Sequence, residues 1–197
     1  MTMSAGIPQF TIEREVDTGE LATSRGSASI TDLLVAACAR SLRSHPRLNA
    51  SFTEKGILEH EAINVGLAIN LKDGLIAPAI MDADRLDLRA IAAERERLTT
   101  AATEGRLRPE EVLNTTFTIS NLGPVGVRRF QALVVPPQAA ILAVGAVTPD
   151  QCMSLCLSCD HRLVDGVPAA LFLRDVVEFL EHPPPRPSPA MGEGVIG

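Results

Sequence analysis

The stretch MSLCLSCDHRLVDGVPAALFLRDVVEFL, residues 153–180, decides the fold. Met153 to Cys159 is an apolar run too short for a helix and rich enough in small and aliphatic residues for a buried strand. Where it runs out, Asp160 to Gly166 forms a polar connection. Beyond it Phe172, Leu173, Val176 and Leu180 recur at helical spacing, which predicts a helix over Val167–Leu180. A buried strand handing over to an amphipathic helix means a sheet covered by helices. His161 then sits at the mouth of the connection between them.

The flanking sequence fits that frame. Ala139 to Ala146 reads as a second buried strand and Thr115 to Ser120 as a β-branched one, closed by Asn121-Leu122-Gly123-Pro124. Pro8 to Val16 alternates like a half-buried strand. Ile30 to Leu42 has helical spacing, with Ser29 or Thr31 as its cap, and ends at His45-Pro46. Ser51 to Leu58 folds back around Glu54-Lys55-Gly56. Ile63 to Leu71 alternates, turns at Asp73-Gly74, and returns as Leu75 to Ile80, where Pro78 asks for an edge or a bulge. An amphipathic helix spans Asp87 to Glu104, and a single helical turn surrounds Pro109. The reading is one α+β domain with a mixed β-sheet and flanking helices over residues 1–183. A proline-rich, disordered tail over 184–197 follows it.

Composition narrows the function classes. The 197 residues carry 18 basic and 24 acidic side chains, a net charge of −6, and neither Trp nor Tyr. Nucleic acid and anionic membranes reward positive charge, and base stacking needs aromatic rings, so neither is an expected partner. No apolar run is long enough for a membrane helix. Four cysteines, Cys38, Cys152, Cys156 and Cys159, are too few and too clustered for a secreted disulfide framework. The expected setting is a reducing cytoplasm.

Three groups could carry chemistry. Cys152, Cys156, Cys159 and His161 have zinc-like spacing, but a strand spreads four residues over ~13 Å and sends alternate side chains to opposite faces. No metal is expected there. His161 on its connection can be a general base, since imidazole accepts a proton near neutral pH, or simply a polar surface residue. Asp165, four residues on, could be a helix cap. Thr116, Thr118 and Ser120 form a hydroxyl row opposite Phe117 and Ile119, able to pair across strands or to donate to an oxyanion. The chain has no G-x-S-x-G elbow, Walker A loop or G-x-G-x-x-G turn.

Taken together, TFTISNLG (116–123), VVPPQAAILAVGAV (134–147) and SCDHRLVDG (158–166) resemble the catalytic core of dihydrolipoamide acyltransferases, the E2 components of 2-oxo acid dehydrogenase complexes. SHPRLNASF (44–52) and GLIAPAI (74–80) are similar in place and order. The resemblance implies a chloramphenicol acetyltransferase-like fold and acyl transfer between dihydrolipoamide and coenzyme A, the lipoamide being carried on a separate lipoyl domain. It implies His161 as the base, Ser120 as the oxyanion donor, Asp165 as an orienting residue, and Asn121, Leu122 and Gly123 as the cofactor-binding turn. It further implies a homotrimer, or multiples of trimers, with the site between subunits, and E1 and E3 components as partners. The chain departs from the family at Ala36, where a Lys is common. It is also short between Ala146 and Met153, and proline-rich where an apolar C-terminal anchor is usual. Two other readings remain open here: a scaffold whose catalysis has lapsed, and a stand-alone acetyltransferase for a small acceptor.

Overall fold

The computed structural model describes residues 6–21, 28–72 and 74–183. The Asp73 half of the expected Asp73-Gly74 turn and the proline-rich tail lie outside the described residues. Six strands form the central sheet: β1 (Gln9–Asp17), β4 (Val65–Leu67), β7 (Ala79–Ile80), β8 (Phe117–Asn121), β9 (Ala140–Val144) and β10 (Cys152–Asp160). Their order across the sheet is β1-β10-β9-β8-β4-β7. β8 runs parallel to both β4 and β9, and the other pairs are antiparallel. The sheet is mixed, as the sequence pattern predicts.

Helices α1 (Ile30–Ser44) and α4 (Gly166–Glu181) cover one face. Met153, Leu155, Leu157 and Cys159 of β10 face them, together with Leu142 and Val144 of β9 and Phe117 and Ile119 of β8, all buried. The α4 stripe of Phe172, Leu173, Val176 and Leu180 closes this core, and Phe172 meets Phe117 edge-on at 5.6 Å. Ser29 caps α1 in a reciprocal capping box with Asp32, which settles the choice between Ser29 and Thr31. The buried Asp32 carboxylate also accepts from Arg95 Nε at 2.6 Å, tying α2 (Leu88–Thr103) to the start of α1. On the far side of α2, Glu111 of the short α3 (Pro109–Leu113) is fully buried between Arg97 and Arg108.

Among the described residues the opposite face carries no α-helix. A parallel β8–β9 pair needs a long crossover, and here the chain between Asn121 and Ala140 supplies it without an α-helix. The crossover is fixed by Ala146 N–H to Val127 O, Val134 N–H to Gln9 Oε1, and Thr118 Oγ1 to Gln138 Oε1. Gly145 makes this possible, since a Cβ there would collide with the Arg128 carbonyl.

The structure corrects two segments. Ile63 to Leu71 is not one strand: β4 belongs to the central sheet, while β5 (Ile69–Leu71) leaves it to pair with β6 (Gly74–Ile76). Ala68 N–H still bonds Ile119 O, so the break falls where β8 ends its pairing with β4. Leu75 to Ile80 divides likewise, with β7 at the sheet's edge just after Pro78, the position proline demands. The hairpin of β2 (Ala50–Thr53) and β3 (Gly56–Glu59) stands as expected.

Candidate active site

His161 follows the last residue of β10. Its backbone N–H donates to Pro8 O at 2.8 Å, extending the β1–β10 ladder by one rung. On either side of it the backbone is pinned. Asp160 is 1% exposed and accepts from Arg162 Nε at 2.9 Å and Nη2 at 2.6 Å. The Arg162 guanidinium in turn lies 4.2 Å from the centre of the Phe52 ring on β2. The imidazole itself is half exposed. Its Nδ1 stands 3.6 Å from Asp165 Oδ1, an ion-pair distance too long for a hydrogen bond, and its ring packs against Phe10 with centroids 4.8 Å apart. Asp165 occupies the N-cap position of α4 but its side chain makes no capping bond, so the carboxylate is free to face His161. Nε2 has no partner among the described residues.

The hydroxyl row divides in two. Thr116 Oγ1 accepts from Asn64 N–H, and Thr118 Oγ1 donates to Gln138 Oε1 at 2.7 Å, so both hydroxyls are committed to the fold. Ser120, on the same face as Thr118 at the end of β8, makes no side-chain hydrogen bond among the described residues. Asn121 points the other way. Its Nδ2 donates to Thr31 Oγ1 at 3.2 Å and its Oδ1 accepts from Gly123 N–H at 2.9 Å. A Cβ on Gly123 would lie 2.7 Å from Gly145 O, so only glycine fits this approach. Leu122 is the exposed member of the turn.

Within one chain these two ends do not meet. The register places Ser120 beside Ala143 and Ala143 beside Cys156, so His161 lies five residues further along β10 and two strands away. At about 3.3 Å per residue and about 4.8 Å per strand, the separation is roughly 19 Å. The cysteines occupy neither end as a group: Cys159 faces the helices while Cys156 lies on the opposite face, and burial pushes the Cys159 thiol up to about 12. Phe10 on β1 and Thr31 on α1 are neighbours of the candidate site that none of the quoted motifs contains: Phe10 packs against His161, and Thr31 accepts from Asn121. Strand-to-strand register and helix packing are not written in any local spacing.

A dihydrolipoyllysine-residue acetyltransferase, component 3 of the mitochondrial pyruvate dehydrogenase complex of Arabidopsis thaliana, is 41% identical over 169 residues, covering 79% of this chain and 31% of that protein. The chain thus spans between 27% and 51% of the length of the curated relatives it matches. The dihydrolipoamide acetyltransferase of Azotobacter vinelandii superposes with a TM-score of 0.84 at 27% identity, covering 92% of this chain and 85% of that one. That enzyme was studied for the roles of a serine, a histidine and an asparagine in its mechanism. Chloramphenicol acetyltransferase shares the fold alone, at a TM-score of 0.61 and 17% identity over 91% of this chain and 92% of that one. No helix among the described residues is long and apolar enough to cross a membrane. The profile of the 2-oxoacid dehydrogenases acyltransferase catalytic domain matches residues 1–185, and the chain belongs to that family.

Proposed function

We propose that the chain transfers an acyl group between the thiol of dihydrolipoamide and that of coenzyme A, both reaching it as substrates. The observation that carries this is the half-exposed His161, whose Nδ1 faces Asp165 while Nε2 has no partner among the described residues. A free thiol with a pKa near 8.5 is mostly protonated at neutral pH, so a thiol nucleophile needs such a base. His161 Nε2 takes the proton of the attacking thiol. The Ser120 hydroxyl donates to the oxyanion that forms on the thioester carbonyl. His161 then returns the proton to the sulfur that leaves. Asp165 steadies the imidazole and its transient charge. The groups fit a thiol and a thioester: a ring nitrogen, His161 Nε2, and a hydroxyl, Ser120 Oγ, neither with a hydrogen-bond partner among the described residues.

Because one chain separates Ser120 from His161 by roughly 19 Å, the reading requires His161 of one copy to meet Ser120 of another. A homotrimer, or a multiple of trimers, supplies one such junction per chain. In the turn that binds the cofactor substrate, Asn121 and Gly123 act by shape, since the Asn121 carboxamide already holds Thr31 and Gly123, and Leu122 offers the contact surface. The lipoyl group is carried by a separate domain, and E1 and E3 components are the partners, in keeping with the complex named for the Arabidopsis relative. A cytoplasmic setting suits four cysteines that are all unpaired.

Acyl transfer from acetyl-, succinyl- and isobutyryl-CoA to free dihydrolipoamide, measured on protein sized by light scattering, tests the reading. Turnover by a trimer or larger species supports it and identifies the acyl class. A well-formed oligomer without turnover returns the weight to a scaffold or to another acceptor.

A further inference from the structure

The Phe10 ring is the one aromatic group packed against the His161 imidazole among the described residues, with centroids 4.8 Å apart and the planes inclined by 58°. The register explains the contact. Phe10 pairs directly with Cys159, two residues before His161, so the two rings are diagonal neighbours on one face of the sheet, a spacing that aromatic side chains bridge. The strand that carries Phe10 is anchored on both sides. Pro8 O accepts from His161 N–H at 2.8 Å, and Gln9 Oε1 accepts from Val134 N–H at 2.9 Å.

The imidazole needs such a support. It is half exposed, Asp165 Oδ1 is 3.6 Å from Nδ1, and no hydrogen bond to either ring nitrogen is present among the described residues. A side chain with one open face and no hydrogen bond is free to exchange rotamers on a fast timescale. The Phe10 ring removes one side of that space. We propose that Phe10 is a positioning residue, fixing the rotamer that turns His161 Nε2 toward the reacting thiol. The proposal rests on His161 being the base of the acyl transfer described above.

The test compares Phe10→Leu, which keeps apolar volume without a ring plane, with Phe10→Tyr, which keeps the plane. Thermal melting and light scattering monitor fold and assembly. For Phe10→Leu, kcat should fall at least about tenfold, within the roughly hundredfold that a 1 Å misplacement costs, while KM for coenzyme A stays within about twofold. Phe10→Tyr should recover kcat to within about threefold of the unsubstituted protein. Wild-type kcat in Phe10→Leu, or failure of Phe10→Tyr to recover it, overturns the assignment.

A second readout does not depend on turnover. With ring-labelled histidine, His161→Ala identifies the His161 resonance among the four histidines. That resonance should carry a ring-current displacement that disappears in Phe10→Leu and persists in Phe10→Tyr. If the unsubstituted protein shows the displacement but no acyl transfer, the acyltransferase reading fails while the ring contact stands. If it turns over and the displacement is absent, the positioning role fails alone.

Discussion

At the scale of single residues, the site is held mainly from behind. The backbone around His161 is locked by Pro8, by the Asp160–Arg162 pair and by the stack of Arg162 on Phe52, while Nε2 of the ring has no partner among the described residues. His161→Ala removes a half-exposed ring that makes no hydrogen bond among the described residues, so it should abolish acyl transfer and leave oligomer size and melting temperature nearly unchanged. Retained turnover would contradict the base assignment. Ser120→Ala should lower kcat by about a hundredfold or more, the ~3 kcal/mol usual for a lost oxyanion donor, with little change in KM; a stopped assay under saturating coenzyme A reads it directly. The motif residues were legible because each lies in a contiguous run, SCDHRLVDG or TFTISNLG. The split of the hydroxyl row was not. Nothing local distinguishes Ser120 from Thr118; the difference is that Gln138, on the crossover, reaches one and not the other.

At the scale of elements, buried carboxylates tie the helices together. Burial pushes the Glu111 carboxyl up, but the Arg108 backbone N–H and the guanidinium groups of Arg108 and Arg97 outweigh it and hold the group at about 2. A folded-state pKa below the unfolded value, about 4.3, adds stability that is full above pH 4.3 and is lost as pH falls through about 2. Glu111→Gln should therefore cost about 2 kcal/mol at pH 7 and flatten the fall of melting temperature across that acidic window. Melting curves at stepped pH decide it; an unchanged slope would mean the pair contributes nothing. Ser29→Ala should cost about 1 kcal/mol in chemical denaturation by removing one half of the α1 capping box. Helices were legible to within a residue or two because the apolar period marks their length and, at Ser29 for α1 and Asp87 for α2, a capping side chain marks their start. The break of Ile63–Leu71 was not, since alternation runs unbroken through Val65, Leu67, Ile69 and Leu71 while the partner changes from β8 to β6. Periodicity records which face is apolar; it does not record which strand lies alongside.

At the scale of the whole molecule, the fold sets Ser120 and His161, the two residues proposed to share the chemistry, at opposite ends of one sheet. β8 and β9 run parallel and β10 runs back, so a residue at the end of β8 and a residue past the end of β10 must point away from each other. The separation follows from strand direction alone and no side-chain movement closes it. Activity should thus depend on assembly, and the measurement that tests this most directly is complementation between two inactive variants. His161→Ala and Ser120→Ala chains, unfolded together in equal amounts and refolded, should form mixed oligomers in which some junctions unite an intact histidine with an intact serine. With random mixing, about a quarter of the junctions are complete, and the mixture should recover about a quarter of the unsubstituted activity. Activity no greater than the sum of the two separate variants, from mixtures shown to contain hybrid oligomers, would contradict a site shared between copies.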